Sequence, residues 1–396
     1  MTRSSDCDLL IVGGGPCGLA TAISAQRAGL TPLVLEQRVI CSTIAHYPTY
    51  VRFFSTAEKL SLGGIPFVVA TEKPTRRDAL AYYRAVVQHF PIPVRQYERV
   101  THVDKNRGGG GGGARREGVG FVVHSETSGG AERETNAKAV VIATGYFGSP
   151  NLIRVPGEDL PHVTHVYKEG HEAFLQPVVV VGGGNSAAEA TLDLWRSGAR
   201  VTLVHFGPTF DKKIKPWVLP DFQNRVKEGS IDVRWNSRVT QIDADAVCID
   251  TRGKAERLEA TRVYIMTGFA PDLELLRQVG VPIDKDTGIP AHDPATLETK
   301  VPGIFVAGVV VAGYDANKVF IENGRYHGDK IVARAHHRVP PAILDVLFQF
   351  DAERSVIPHR ARTAIDLRGL EDEATALTER DELVEDVRVG HELGDR

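Results

Sequence analysis

Short runs of apolar residues, each followed directly by glycines, recur along this chain. The first covers residues 9–12 and leads into a glycine cluster, an alanine-rich stretch and a second apolar run that ends in Glu36. The same order returns at residues 178–181, with a strand pattern at 200–205. Strand, helix and strand in this order form the repeating unit of a doubly wound parallel sheet. The pattern therefore predicts an α/β protein with two Rossmann-like dinucleotide-binding domains, the second inserted in the first.

Other segments add further strands and two long helices. Apolar residues at helical spacing predict a helix over residues 75–89, with Thr75 as its N-cap. A second long helix is expected at about 317–336, after the chain has returned to the first domain near 283–299. Further strands are expected at 95–103, 119–124, 139–143, 231–235, 241–242, 246–250, 262–267 and 303–306.

The first glycine cluster has the spacing of a dinucleotide-binding turn. Gly13 allows the tight turn, Gly15 lets the backbone approach a pyrophosphate, and Gly18 lets the helix pack closely on the strand. Glu36 follows at the distance where a carboxylate accepts a hydrogen bond from a ribose hydroxyl. The candidate residues of this first site are Gly13, Gly15, Pro16, Gly18, Glu36 and Gln37.

The second glycine cluster repeats the motif but ends differently. His205 closes its second strand, where the first copy has Glu36. A carboxylate accepts from a free 2′-hydroxyl and repels a 2′-phosphate, so the first copy suits FAD and the second tolerates NADPH. Three lysines that follow could pair with the 2′-phosphate, although a solvated basic loop would give the same pattern. The candidate residues of the NADPH site are Gly182, Gly184, Asn185, Ser186, Ala187, His205, Lys212, Lys213 and Lys215.

Two more strand ends complete the predicted FAD site. Thr144 and Gly145 follow the strand at 139–143, and Gly308 follows the strand at 303–306. The predicted division is 1–160 for the first part of the FAD-binding domain, 161–290 for the NADPH-binding domain, 291–340 for the second part of the FAD-binding domain and 341–396 for a charged extension.

Two segments carry no predicted chemistry. Six consecutive glycines at 108–113 are expected to form a flexible hairpin tip, because ordering them costs much backbone entropy. The C-terminal tail, dense in mixed charge and poor in aromatics, is expected to be disordered. Alternatively, its apolar stretch 344–350 docks on a neighbouring subunit.

Composition and charge narrow the class of protein. The chain has 396 residues, 42% of them hydrophobic, and a net charge of -3, which provides no basic field for nucleic acid or an anionic membrane. We expect a cytoplasmic protein without a secretory signal or a membrane span. Its four cysteines are widely spaced and form no CxxC pair, so neither a metal site nor structural disulfides are expected.

Several longer motifs resemble one known family. The glycine clusters, Ala143-Thr144-Gly145 and the IFVAG strand make the frame of thioredoxin reductase-like flavoproteins with two dinucleotide sites. More locally, the chain resembles the YpdA-type bacillithiol disulfide reductases in HYPTYVRFFSTAEKLSLGGIPF, KPTRRDALAYYR, VPGEDLPHVTHVYKE, IKPWVLP and DANKVFIENGR, so that the match covers nearly all of residues 8–336. The resemblance implies an FAD-dependent, NADPH-consuming reductase of a low-molecular-weight disulfide. A homo-oligomer is also expected.

The resemblance also directs attention to Cys17, inside the first glycine cluster. It implies that this thiol exchanges with the substrate, and the start of a helix is expected to lower the thiol pKa so that thiolate is available at neutral pH. The alternative is a small residue that only packs beneath the flavin. Two departures stand out: residues 178–290 contain only Cys248, which excludes the dithiol relay of thioredoxin reductases, and the usual Gly-Asp of the flavin site is Gly308-Val309.

Two other classes share the nucleotide motifs. Flavin monooxygenases carry a linker motif with a histidine four residues after a glycine, and Gly148 is not followed by one. The other class is non-enzymatic or protein-directed: a flavin-binding redox sensor, or a ferredoxin or flavodoxin partner.

Overall fold

The computed structural model describes residues 5–105, 120–210 and 214–335. The strands are β1 Ser5–Val12, β2 Pro32–Glu36, β3 Val94–Gln96, β4 Glu98–Lys105, β5 Phe121–Thr127, β6 Glu132–Ile142, β7 Ser149–Pro150, β8 Val163–Thr164, β9 Pro177–Val181, β10 Arg200–Val204, β11 Asp232–Arg234, β12 Ser237–Ile242, β13 Ala246–Thr251, β14 Lys254–Glu259, β15 Arg262–Ile265, β16 Phe269–Ala270 and β17 Ile304–Val306. The helices are α1 Pro16–Arg27, α2 Ser42–Ala45, α3 Ala57–Leu60, α4 Arg76–His89, α5 Asn185–Arg196, α6 Leu219–Lys227, α7 Glu274–Gln278, α8 Ile321–Gly324 and α9 His327–Ala335.

The first sheet is built around β1, whose apolar residues are buried on both faces. Its strand order is β3-β2-β1-β6-β5-β4, and β17 pairs with β6. Strand β1 runs parallel to both β2 and β6, while β4, β5 and β6 form an antiparallel meander. Strands buried on both faces need helices to cover them, and α1 and α9 pack together beside this sheet. The predicted α/β fold class is confirmed.

The second sheet repeats the parallel arrangement around β9. Its order is β11-β10-β9-β15-β8, and all its pairings are parallel. A separate antiparallel sheet of β12, β13 and β14 packs its apolar face on the second sheet. A short antiparallel ribbon joins β7 to β16, so the chain passes through adjacent strands where it leaves and re-enters the region of the second sheet.

Helix α4 forms where the sequence predicted it. Thr75 is its N-cap: its hydroxyl oxygen accepts a hydrogen bond from the amide of Asp78 at 3.2 Å, and the Asp78 carboxylate accepts from the Thr75 amide at 2.9 Å. This reciprocal pair satisfies two backbone donors at the start of the helix. Tyr83 and Val86, one turn apart, are fully buried against the first sheet.

Several elements differ from the prediction, and three of them have a clear physical reason or division point. The strand expected at 95–103 is divided into β3 and β4 by Tyr97, whose φ is 58°. The helix expected at 317–336 is divided into α8 and α9. Strand β14 was missed because charged residues dominate it and only Leu258 is buried. The chain also contacts the core of the first sheet from Leu273 onward, earlier than the expected return at 283–299.

Some predictions concern residues outside the described ranges. They are the glycine run at 108–113, Lys212, Lys213, and the extension 341–396 with its apolar stretch 344–350. The domain boundaries stay a prediction. Among the described residues, no helix is both long and apolar enough to span a bilayer.

Candidate functional site

The first glycine cluster closes tightly on β1 and α1. A Cβ added at Gly13, where φ is 112°, would be 2.4 Å from the Ala143 carbonyl oxygen, and one at Gly18 would be 2.1 Å from the Gly13 oxygen. Only glycine fits at either position. A Cβ added at Gly15 would contact no atom within 4 Å, and no side chain caps α1. The amides of the first turn of α1 therefore face open space, which fits a pyrophosphate.

Glu36 lies at the end of β2, beside this turn. Its carboxylate accepts hydrogen bonds from the Gly14 amide at 2.7 Å and from the Arg38 amide at 2.9 Å. The residue is 5% exposed, so the backbone holds the carboxylate in one place while it keeps lone pairs for a ribose hydroxyl. Gln37, the next residue, is exposed.

The third predicted contact also fits a flavin nucleotide. The Thr144 hydroxyl is buried and has no hydrogen-bond partner among the described residues. Gly145, with φ of 78°, has no atom within 4 Å of an added Cβ. A buried hydroxyl without a partner is costly, so a polar ligand at this strand end would satisfy it. The residues of the first site thus fit FAD.

The second glycine cluster repeats the tight closure. A Cβ added at Gly182, where φ is 153°, would be 2.4 Å from the Met266 carbonyl oxygen. Helix α5 begins at Asn185 with Gly184 as its N-cap, Ser186 is exposed and Ala187 is buried. The amides of this first turn fit the pyrophosphate of a second dinucleotide.

His205 differs from its counterpart Glu36 in how it is placed. It is 3% exposed, and a Cβ added at Gly183 would lie only 2.0 Å from its ring. The ring packs against Phe206 and, edge-on, against Trp235, with centroids 4.6 and 5.9 Å away. The imidazole therefore packs against the glycine turn, and position 205 itself carries no carboxylate that would repel a 2′-phosphate.

Lys215 contacts aromatic rings next to α5. Its Nζ lies 4.9 Å from the ring centroid of Phe54 and 5.9 Å from that of Trp217. Its backbone amide donates to the Asn185 side-chain oxygen at 3.2 Å. The ammonium thus contacts both Phe54, which precedes α3, and Trp217, which precedes α6. The Lys215 backbone lies beside the first turn of α5. A role at the 2′-phosphate stays a prediction for this lysine.

Cys17 is the second residue of α1, and its sulfur faces two glycines near the C-terminal end of the described chain. A Cβ added at Gly324, the last residue of α8, would be 2.7 Å from the Cys17 Sγ, and one at Gly308 would be 3.3 Å from it. The Gly308 amide donates to the Nδ1 of His327 at 3.1 Å. Burial lowers the pKa of His327 to about 4, so its ring is neutral and Nδ1 can accept this bond.

The protonation state expected for Cys17 is wrong. Burial, and after it the nearby carboxylate of Glu322, raise the pKa of the Cys17 thiol to about 12. A helix N-terminus stabilises an anion by about 0.3–1 kcal/mol, less than the roughly 1.4 kcal/mol that one pKa unit represents. Desolvation and the adjacent negative charge therefore outweigh the helix, and Cys17 rests as a thiol.

A cluster of aromatic side chains includes Tyr47, which senses the same Glu322 carboxylate as Cys17. Tyr47 lies 6.2 Å from Phe53 and 6.4 Å from Phe147, centroid to centroid, and Phe147 lies 5.5 Å from Phe269. Burial, followed by the Glu322 carboxylate, raises the pKa of Tyr47 to about 12. Two of these rings, Tyr47 and Phe53, belong to the segment that follows Glu36.

Sequence reasoning missed one residue that acts on Cys17 and one that contacts its neighbour Gly308. Glu322 accepts a hydrogen bond from the Ser55 hydroxyl, and His327 holds the Gly308 amide. Both lie in the segment predicted as one helix, where a glutamate and a histidine are ordinary surface residues. Gly324 between them was the available signal, because a glycine inside a helical pattern indicates close packing.

Comparisons with known proteins agree with this geometry. Residues 10–308 match the family described as pyridine nucleotide-disulphide oxidoreductase. The bacilliredoxin reductase Bdr of Bacillus subtilis (strain 168) is 42% identical over 332 residues, which cover 83% of this chain and 97% of that protein. The solved bacillithiol disulfide reductase Bdr (YpdA) from Bacillus cereus is 41% identical, with a TM-score of 0.79, over 85% of this chain and 100% of that one. The Staphylococcus aureus enzyme of the same name is 37% identical, with a TM-score of 0.76, over the same shares.

The chain belongs to the pyridine nucleotide-disulphide oxidoreductase family. It is a flavoprotein disulfide oxidoreductase that uses FAD and NADPH, and the resemblance to the YpdA-type group is confirmed. These findings favour a disulfide reductase over a flavin monooxygenase, a redox sensor or a ferredoxin partner.

Proposed function

We propose that this chain reduces a low-molecular-weight disulfide, bacillithiol disulfide, with electrons from NADPH. The observation that carries the proposal is the position of Cys17: its Sγ lies against Gly308 and Gly324, in the part of the first site next to the predicted flavin contacts. No other cysteine forms a CxxC pair with it or elsewhere in the chain. A single thiol beside a flavin site suits a small disulfide that forms a mixed disulfide with it.

Cys17 would act as the nucleophile. Its thiol loses a proton, the sulfur attacks one sulfur of the substrate, and the substrate's S–S bond breaks. A mixed disulfide forms on Cys17, and the departing thiolate takes up a proton. The chemistry that FAD would supply when bound is the delivery of two electrons from NADPH; with two protons, these would cleave the mixed disulfide into the free Cys17 thiol and a second small thiol. Because the Cys17 pKa is about 12, loss of its proton is the costly part of the attack.

The other candidate residues are divided between the two nucleotide sites. Because the glycine turns and strand ends fit the two dinucleotides, we assign FAD to Gly13, Gly15, Pro16, Gly18, Glu36, Gln37, Thr144, Gly145 and Gly308. NADPH is assigned to Gly182, Gly184, Asn185, Ser186, Ala187 and His205. The domain boundaries at 160, 290 and 340, a cytoplasmic location and a homo-oligomer belong to the same proposal.

A second candidate substrate is a protein. The Bacillus subtilis relative is named a bacilliredoxin reductase, so a bacilliredoxin with an oxidised disulfide is the second candidate for this chain. Both candidates use the same chemistry at Cys17 and differ only in the size of what reaches the sulfur.

The test is anaerobic reduction of the holoenzyme with NADPH, followed by a panel of disulfides. The proposal expects bacillithiol disulfide to reoxidise the flavin with release of two thiols per NADPH, faster than cystine or glutathione disulfide. Turnover with a protein disulfide alone would favour the second candidate. A flavin that NADPH reduces but that no disulfide reoxidises would overturn both.

A further inference from the structure

The sequence predicted only lysines as partners for the 2′-phosphate of NADPH. The fold brings a different cation, Arg238, close to the end of β10. Strand β12 begins beside the residues that follow the C-terminal end of β10. The Ser237 amide donates to the His205 carbonyl oxygen at 3.0 Å, and the Asn236 amide donates to the Gly207 carbonyl oxygen at 2.9 Å. Arg238 follows on β12. These two backbone bonds fix the start of β12 against residues 205–207.

The guanidinium of Arg238 lies over the aromatic ring of Phe206, just after the end of β10. Its Cζ lies 5.0 Å from the ring centroid of Phe206, and the Phe206 side chain is 62% exposed. Stacking on a ring orients the planar guanidinium and leaves its N–H edge available.

Arg238 also differs from its neighbours in the described part of the chain. Arg234 pairs with Glu256 at 3.0 Å, and Arg257 pairs with Asp245 at 2.7 Å. Arg238 forms no ion pair with any described residue and is exposed to solvent. Asp250 is its cross-strand neighbour in this sheet, but no described carboxylate lies within ion-pair distance of the guanidinium.

The location determines what such a cation could bind. In a βαβ dinucleotide site, the end of the second strand lies next to the ribose 2′ position. Here that end is His205, which is buried beneath Gly183, and Phe206 is the first exposed side chain beyond it. The Lys215 ammonium, in contrast, lies over Phe54 and Trp217.

We propose that Arg238, stacked on Phe206, binds the 2′-phosphate of NADPH and determines the preference for NADPH over NADH. A guanidinium donates two parallel hydrogen bonds to a phosphate, which an ammonium cannot reproduce. Phe206 acts as the platform that holds the fork in position.

The test measures ligand binding to the oxidised FAD-loaded enzyme, by calorimetry, for wild type, Arg238→Gln and Arg238→Lys. With 2′,5′-ADP as the probe, Arg238→Gln should raise Kd by about tenfold to a hundredfold, since charge-assisted bonds of this kind are lost. Arg238→Lys, which keeps the charge and loses the fork, should fall between the two. Binding of 5′-ADP, which has no 2′-phosphate, should not change. FAD absorbance per protein monitors folding of each variant.

Lys254→Gln is the matched control, because Lys254 is an exposed cation of β14 in the same antiparallel sheet. It should leave both Kd values unchanged. Unaltered 2′,5′-ADP binding in Arg238→Gln, or an equal loss of 2′,5′-ADP and 5′-ADP, would overturn the proposal. No disulfide enters the measurement, so the result stands whatever the disulfide substrate proves to be.

Discussion

Gly324 lies directly against Cys17: a Cβ added to this glycine would be 2.7 Å from the Cys17 Sγ. The first helix of the chain and the short helix α8 therefore meet at the thiol, and the absence of a side chain at 324 makes the contact possible. Residues from the two ends of the described chain thus define one side of the Cys17 environment.

Gly324→Ala should push the sulfur out of place. Inserting one methyl group into a packed contact of this kind costs about 1–3 kcal/mol, so we expect a lower melting temperature and slower disulfide turnover at matched FAD content. Gly129→Ala is the control, because its Cβ would be 3.9 Å from the nearest atom beyond its chain neighbours, the Thr127 hydroxyl oxygen. Equal behaviour of the two variants in thermal unfolding and turnover would show that the contact at Gly324 is looser than described.

Glu322→Gln should lower the pKa of Cys17. The negative charge at 322 disfavours the thiolate, so a neutral amide at this position removes one of the two causes that raise the pKa to about 12. Burial, the larger cause, remains, so the pKa should fall only part of the way. The rate of iodoacetamide alkylation of Cys17 in the FAD-free protein, followed by mass spectrometry from pH 7 to 10, measures this shift.

Glutamine can still accept the hydrogen bond from Ser55, so Glu322→Gln changes charge with little change of shape. Glu58→Gln removes an exposed carboxylate of α3 and should leave the alkylation profile unchanged. If Cys17 in Glu322→Gln reacted more slowly than in wild type at every pH, the assigned direction of this charge effect would be contradicted.

His327 should make stability depend on pH in a defined window. Its pKa is lowered from 6.5 to about 4 in the folded protein, so the unfolded chain binds the proton more tightly. Stability from this residue is complete above pH 6.5 and is lost as the pH falls from 6.5 towards 4. His327→Asn keeps an acceptor for the Gly308 amide and removes the titration, so denaturant unfolding should show a flatter pH profile between these values. If the free energy of unfolding fell equally in the two proteins as the pH is lowered, the loss of stability in acid would belong to other groups.

The sequence predicted those parts of the site that depend on local backbone geometry. Gly13 and Gly18 follow from spacing alone, and outside the site the Thr75 cap follows from a threonine at the start of an apolar pattern with helical spacing. Glu322 and Arg238 could not be found in this way. Their importance depends on Cys17 and Phe206, which are distant in the chain and are brought near them only by α8 and β12.

The expected direction of the Cys17 pKa shift was wrong for a related reason. The helix start at Pro16 is a local feature that sequence shows, whereas Gly308, Gly324 and Glu322, which surround the sulfur, come from the far end of the described chain. Desolvation depends on those distant residues, and no pattern around Cys17 reports them.

The central claim is that Cys17 exchanges with the disulfide, and one single-turnover experiment tests it most directly. NADPH-reduced holoenzyme is mixed anaerobically with bacillithiol disulfide, and flavin reoxidation is followed for wild type, Cys17→Ala and, as a control, Cys248→Ala. All three should bind FAD and accept electrons from NADPH, because alanine fits the turn at Cys17 and Cys248 lies away from it, on β13. We predict that the flavin of wild type and Cys248→Ala reoxidises, whereas Cys17→Ala stays reduced, since loss of a nucleophile typically costs several orders of magnitude in rate. Reoxidation of Cys17→Ala at the wild-type rate would contradict the account.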